Sequence, residues 1–332
     1  MTIGRWVGLA AALALAVTPA THARADAKGA RARADVKSAP RAKADAKAAR
    51  HGKRAPQKRV KTVASKPNPL PPLNGVTYDY TYDAADVGRP ERAWEGRAFV
   101  HRKAAEQAER ALPLLVFIHG MNVEKIPYRW IGGGEEGDVR RILSALIEGG
   151  TVPPMLLAAP TSTAPAAVGV AATSWPGFDL DTFLDRTEAR LAGKAKIDRS
   201  RVIVAGHSAA GCNVKGGIAT ALKARTPILA GLVIDTCMGT DLAKDLAQDL
   251  ARAPKTLNLV VAWQSMTWES RPFKDFRAVF EREIKNAPPA EGMLRELAYE
   301  QPKKPMPHDA MVELTLAKWL PRLLSPPRPG GG

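Results

Sequence analysis

The sequence has 332 residues, a formal net charge of +16 and two cysteines. Most of the charge comes from residues 24–66, which carry 15 Lys or Arg against 3 Asp, a net charge of +12. The strongly basic character of the sequence therefore comes from this segment and not from the rest of the chain. The roughly 260 residues that follow are enough for one large α/β domain and marginal for two. Two cysteines can form one disulfide, whereas a metal site would need more ligands.

Residues 1–23 have the pattern of a secretory signal peptide. A short basic start precedes the apolar stretch 6–17, and Thr21-His22-Ala23 offers small residues at the two positions that a signal peptidase reads. The apolar stretch is too short to span a bilayer, so a retained membrane anchor is the weaker interpretation. We therefore expect an exported protein that is periplasmic, associated with the cell envelope or secreted.

Residues 24–72 consist mainly of Ala, Lys, Arg and Pro. So little apolar surface cannot offset the entropy lost on ordering, and the segment is predicted to be disordered. Its charge could hold the protein against an anionic envelope surface, or the segment could be a solvated spacer, and the sequence leaves both open. It contains no aromatic residue for base stacking, so we expect no specific nucleic-acid partner.

Residues 73–332 alternate apolar runs with helical patterns. Short runs that are apolar on both faces predict strands of a parallel sheet at 114–118, 155–159, 202–205, 228–234 and 257–263. Helices are predicted at 138–148, 179–192, 209–224, 241–252 and about 309–323. Two less apolar segments, 78–82 and 97–102, are predicted as antiparallel edge strands. The alternation predicts one α/β domain whose mostly parallel sheet is covered by helices on both faces.

The segment RVIVAGHSAAGCN, residues 201–213, places a serine at a sharp turn. An apolar β-branched run ends at Gly206, and small residues surround Ser208. The pattern G-x-S-x-G of a nucleophile elbow is present except that Ala210 stands at its last position. On the motif alone, a nucleophile on a strained turn and a serine that caps a helix are equally good interpretations.

A nucleophilic serine needs a base, and elimination among the six histidines selects His308. It lies after the predicted strands and just before the last helix, in a loop that can reach back over the strand ends to Ser208. The other five lie in the N-terminal segments, on an edge strand, in the turn after the first buried strand or beside the serine: His22, His51, His101, His119 and His207.

These features together resemble the α/β-hydrolase superfamily over residues 78–324, and secreted esterases and polyester depolymerases in particular. The residues that carry the resemblance are His119 and Gly120 after an early strand, Gly206 to Ala210 at the elbow, the late His308, and Asp198 and Arg201 before the nucleophile strand. The resemblance implies the α/β-hydrolase fold, the order serine, acid, histidine along the chain, and no metal or organic cofactor.

The acid of such a triad has three candidates. The resemblance places it after the second strand beyond the elbow, where Glu269 is the only carboxylate before Lys274. Asp235, at the end of the strand before that one, is the alternative, and Asp309 beside the histidine is the third. The acid would fix the tautomer of His308 and stabilise its imidazolium.

Backbone amides complete the predicted site. Met121 follows the His-Gly turn and Ala209 follows the serine, so their N–H groups are the predicted oxyanion donors. Cys212 and Cys237 lie just beyond the ends of two consecutive predicted strands, which predicts a disulfide, with two buried free thiols as the alternative.

The function predicted from these residues is that of an exported serine hydrolase that acts as a monomer on small or polymeric carboxylic esters through an acyl-enzyme. The same fold and triad would also serve a peptidase or amidase. A third hypothesis is a catalytically inactive scaffold that the basic segment presents at the envelope.

Overall fold

One eight-stranded sheet organises the part of the chain that the structure describes. The computed structural model describes residues 73–82, 94–121, 138–161, 175, 177–212, 216–236, 240–264, 270–300 and 308–325. Its strands are β1 (Gly75–Tyr82), β2 (Trp94–His101), β3 (Ala111–Ile118), β4 (Leu156–Thr161), β5 (Lys196–His207), β6 (Ala230–Ile234), β7 (Asn258–Gln264) and β8 (Arg295–Glu300). The predicted signal peptide and the basic segment 24–72 lie outside these residues.

The strands lie side by side in the order β1-β2-β4-β3-β5-β6-β7-β8. β2 pairs antiparallel with both β1 and β4, and every pair from β4 to β8 is parallel. All five predicted parallel strands are therefore confirmed. Because the carboxyl ends of parallel strands meet at one edge of the sheet, the residues that follow β3, β5, β6 and β7 are brought close together.

The predicted edge position of segment 97–102 is wrong, because β2 lies between β1 and β4. Arg97, on this strand, forms an ion pair with the neighbouring strand. The Arg97 guanidinium donates to the Asp79 carboxylate on β1, with Nε 2.9 Å from Oδ1. The neighbouring Phe99 is fully buried, so the strand contributes to the core in spite of its mixed composition.

Helices cover both faces of the sheet, as predicted. They are α1 (Arg102–Ala105), α2 (Val139–Glu148), α3 (Leu180–Leu191), α4 (Gly217–Ala221), α5 (Thr240–Ala251), α6 (Ser270–Asn286) and α7 (Ala310–Leu324). Side chains along β3 alternate between two apolar clusters: Val116 belongs to the cluster that contains residues of α3, α5 and α6, and Phe117 to the cluster that contains residues of α2 and α7. Among the described residues, no helix combines the length and the apolar character that crossing a membrane requires.

The continuous helix predicted for residues 209–224 is wrong. A short 3-10 turn, Ser208–Gly211, follows β5, and α4 begins only at Gly217. Two consecutive glycines explain the interruption, since Gly216 is extended and Gly217 has a left-handed φ of 52°. A Cβ at Gly217 would overlap the carbonyl oxygen of Ala210, so the chain passes closely over the turn at this point.

Candidate active site

Ser208 lies at the abrupt turn that ends β5. It is half-buried and has a φ of 53°, a left-handed conformation that costs energy for a residue with a side chain. Gly206 makes the turn possible, because a Cβ there would lie 2.9 Å from the Cβ of Ile218. The strained conformation directs the serine away from the strand, as a nucleophile elbow requires.

Ala210, which stands in place of the last glycine of the motif, fits this turn. It is fully buried, and its Cβ would lie 3.3 Å from a Cβ at Gly206. Gly206 and Gly217 both lie close to Ala210, and a side chain at either position would crowd it. The missing glycine is therefore compensated by the two glycines around it.

The turn after β3 lies directly against the serine. A Cβ at Gly120 would be 2.8 Å from the Cβ of Ser208 and 3.3 Å from its Oγ, so only glycine fits there. The Trp175 indole Nε1 donates to the carbonyl oxygen of His119 at 2.9 Å and holds the turn from the other side. Met121 follows and is 45% exposed. The first predicted oxyanion donor thus belongs to a turn that contacts Ser208.

His308 and Asp235 are joined by a hydrogen bond. His308 Nδ1 lies 2.6 Å from Asp235 Oδ2; the His308 side chain is 30% exposed and the Asp235 side chain is fully buried. Asp235 directly follows β6 and has a left-handed φ of 42°. Of the candidate acids, Asp235 is thus the one that the structure brings to the histidine, whereas Glu269 lies outside the described residues.

Hydrogen bonds stabilise the charged form of Asp235. Burial favours the neutral acid, but donation from His308 and from Gln264 outweighs it and lowers the pKa of Asp235. Gln264 donates from its main-chain N–H and from its side-chain amide, at 3.3 and 3.0 Å. Asp235 is therefore a carboxylate at neutral pH, the form that can stabilise a neighbouring imidazolium.

The ring of His207 packs against the ring of His308. The two ring centroids are 4.4 Å apart, with 36° between the ring planes. His207 is buried, and neither of its ring nitrogens has a hydrogen-bond partner of normal geometry among the described residues. Burial, with the nearby charge of His308, lowers the pKa of His207 to about 3. The His207 imidazole is therefore neutral at neutral pH. Because His207 directly precedes Ser208, this ring contact places His308 next to the residue before the serine.

The turn Ser208–Gly211 also packs against the segment that carries Asp235. A Cβ at Gly211 would lie 2.6 Å from the Oγ1 of Thr236, the residue after Asp235. Cys212 is buried and disulfide-bonded. Its predicted partner Cys237 lies outside the described residues, so the pairing stays a prediction, and Cys237 is the only other cysteine of the sequence.

Sequence analysis missed the part that Gln264 plays. The available signal was a polar residue at the carboxyl end of a strand whose central residues are apolar.

Across the described ranges, His, Cys, Asp and Glu side chains form no group of three or more that could hold a metal ion.

No protein-family model matches this chain, and no curated protein is similar to it in sequence. A ferulic acid esterase of known structure superposes with a TM-score of 0.50 at 14% identity, over 76% of this chain and 99% of its own. The chain has the α/β-hydrolase fold. Such low identity establishes the fold alone.

Two further solved structures are similar in the same region. A mutant of the feruloyl esterase module from Clostridium thermocellum gives a TM-score of 0.49 at 12% identity, over 75% of this chain and 88% of its own. An IroE-like serine hydrolase from Shewanella oneidensis gives 0.49 at 16% identity, over 75% and 80%.

Proposed function

We propose that this protein is a serine hydrolase of carboxylic esters, with Ser208 as nucleophile, His308 as base and Asp235 as acid. The observation that carries the proposal is the hydrogen bond of 2.6 Å between His308 Nδ1 and Asp235 Oδ2. It joins a buried carboxylate to a partly exposed imidazole at the sheet edge where β5 ends in a strained serine. A histidine held in this way has a fixed tautomer in which the other ring nitrogen is the proton acceptor.

In the proposed reaction, His308 Nε2 removes the proton from Ser208 Oγ, and the oxygen attacks the ester carbonyl. The N–H groups of Met121 and Ala209 hold the resulting oxyanion. Collapse releases the alcohol, which receives the proton from His308, and leaves an acyl-enzyme. Water then repeats the sequence and frees the acid. Asp235 stays ionised throughout and stabilises the imidazolium.

We assign the acid to Asp235 and not to Glu269. An imidazole has a single Nδ1–H group to donate, and Asp235 Oδ2 lies at hydrogen-bond distance from that atom. Asp309, the third candidate, lies beside a different ring, with its Oδ1 3.9 Å from His207 Nε2. Asp235 alone of the three therefore has supporting geometry within the described residues.

Esters are proposed over amides because the structural relative with a TM-score of 0.50 is by name an esterase. The fold and the triad serve both reactions equally well. The proposal also includes export directed by residues 1–23, and attachment of the basic residues 24–66 to an anionic envelope surface. The protein would act as a monomer on a small or polymeric ester.

Hydrolysis of p-nitrophenyl esters of increasing acyl length, beside the matching anilides, tests the proposal. We expect the purified protein to hydrolyse at least the short esters and Ser208→Ala to show no rate above background. Ser144→Ala is the matched control, because Ser144 is a buried serine on α2 whose Oγ has no partner among the described residues. Faster cleavage of anilides would indicate an amidase, and no cleavage by folded protein would indicate an inactive scaffold.

A further inference from the structure

The last residue of β7, Gln264, is buried against Asp235. Its main-chain N–H donates to Asp235 Oδ1 at 3.3 Å, and its side-chain Nε2 donates to Oδ2 at 3.0 Å. Asp235 in turn donates its own N–H to the carbonyl oxygen of Ala262 at 2.7 Å. Three hydrogen bonds therefore join the proposed acid to the end of the neighbouring strand, and Gln264 contributes two of them.

These bonds act where the backbone of Asp235 needs support. Its φ of 42° is uncommon for a residue with a side chain, although aspartate tolerates this region better than most residues. A strained conformation persists only where surrounding groups fix it. The N–H bond to Ala262 holds the main chain, and the Gln264 amide holds the carboxylate.

One carboxylate oxygen links Gln264 to His308. Asp235 Oδ2 lies 3.0 Å from Gln264 Nε2 and 2.6 Å from His308 Nδ1. The Gln264 amide therefore fixes the direction in which this oxygen points, and the His308 imidazole donates its hydrogen bond to the oxygen in that position. His308 is an ionisable partner of Asp235, whereas the Gln264 amide is an uncharged donor.

The uncharged amide suits this position better than a charged group would. A cation there would pair with Asp235 and compete with the imidazolium for its charge, whereas a second carboxylate would repel it. An amide fixes the carboxylate and leaves its charge available to His308.

We infer that Gln264 is a positioning residue of the site, whose side-chain amide fixes the carboxylate of Asp235 in the direction that orients His308. The inference rests on the proposed function, because the positioned group is the proposed acid. Gln264 acts through Asp235, which distinguishes it from the catalytic residues.

The kinetic test replaces the amide with a side chain of the same length, Gln264→Met. We expect kcat on a p-nitrophenyl ester to fall about tenfold to a hundredfold, by analogy with the loss on removing a hydrogen-bond partner that orients a metal-binding side chain. KM should change less than about threefold, because a positioning residue does not bind substrate. Gln248→Met on the partly exposed face of α5 is the matched control and should leave both constants unchanged.

A second readout follows the hydrogen bond itself. The proton on His308 Nδ1 should give a far-downfield resonance in histidine-labelled protein, and Gln264→Met should shift or broaden it while a thermal unfolding scan shows a folded protein. Should Gln264→Met not fold, Gln264→Glu keeps the size and polarity, and the same loss of kcat is expected because its carboxylate repels Asp235.

The outcomes separate the two proposals. Wild-type kcat and an unmoved resonance in folded Gln264→Met overturn the inference, and ester hydrolysis that Ser208→Ala abolishes then still supports the function. Absence of hydrolysis by the wild type overturns the function, whereas the resonance still tests whether Gln264 orients the His308–Asp235 pair.

Discussion

Asp235 and Asp181 are both buried carboxylates, but different kinds of groups donate hydrogen bonds to them. Asp235 accepts from the side chain of His308, which is 30% exposed. The charge of Asp235 thus acts on a ring that solvent reaches and that can gain or lose a proton.

Asp181, the second residue of α3, accepts from two main-chain N–H groups and from the side chains of Thr226 and Arg225, with Arg225 Nε at 3.4 Å. The N–H groups of Arg225 and Thr226 donate to it at 2.9 Å each, and the Thr226 hydroxyl donates at 2.6 Å. Burial opposes its ionisation, but these bonds outweigh burial and lower the pKa of Asp181 to about 2. The carboxylate joins α3 to the segment that follows α4.

The difference shows what decides the use of a buried carboxylate. Main-chain N–H groups, a hydroxyl and a guanidinium all keep their protonation state at neutral pH, so the bonds at Asp181 only fix one segment to another. The imidazole bonded to Asp235 can change its charge, so the same kind of hydrogen bonding there suits the proposed reaction. Substitutions at the two sites should therefore separate activity from stability.

The largest expected effect is that of Asp235→Asn on turnover. Asparagine keeps the size of the side chain and favours left-handed backbone, so the protein should fold. We expect kcat to fall by about 10³- to 10⁴-fold, because the amide no longer selects the productive tautomer of His308. Steady-state kinetics beside Glu269→Gln measure the effect. A large loss in Glu269→Gln with normal kcat in Asp235→Asn would move the acid to Glu269.

A smaller effect, on stability alone, is expected for Asp181→Asn. The folded-state pKa of about 2 lies below the usual value near 4, so the contribution of Asp181 is present at neutral pH and lost as pH falls from about 4 through 2. We expect the free energy of unfolding at pH 7 to fall by about 2 kcal/mol, with kcat unchanged. Urea unfolding at pH 7, 5 and 3 measures it, and an equally steep acid loss in the variant would contradict the assignment.

Thr226→Val should have the smallest effect. It removes the hydroxyl that donates to Asp181 Oδ1 but keeps the main-chain N–H bond to the same oxygen. A loss of about 1 kcal/mol in the free energy of unfolding is expected. A change in kcat in this variant would mean that the two carboxylates are not independent.

The central sheet could be predicted from the sequence because its strands are buried on both faces and read as continuous apolar runs. Two later elements, α6 and β8, were not predicted. The buried residues Phe273, Phe276 and Phe280 of α6 have helical spacing, but many charged residues lie between them and lower the mean hydropathy of the segment. In β8, the apolar run is only three residues long, with Arg295 and Glu296 before it and Glu300 after it. Composition concealed both elements.

Part of the proposed site could also be predicted from the sequence. Ser208 lies in a local motif, and His308 follows from elimination along the chain, so both needed only the sequence. The choice of Asp235 over Glu269 depends on a left-handed turn at the end of β6, and the part played by Gln264 depends on strand pairing. Tertiary contacts of that kind leave no local pattern.

Labelling with a fluorophosphonate probe, followed by mass spectrometry of the peptides, tests the central claim most directly. Such probes react with a serine only where a neighbouring base activates it. We predict that the wild-type protein carries one adduct on Ser208, that Ser208→Ala carries none, and that Asp235→Asn reacts far more slowly. A folded wild-type protein that remains unlabelled, or that is labelled at another serine, would contradict the account.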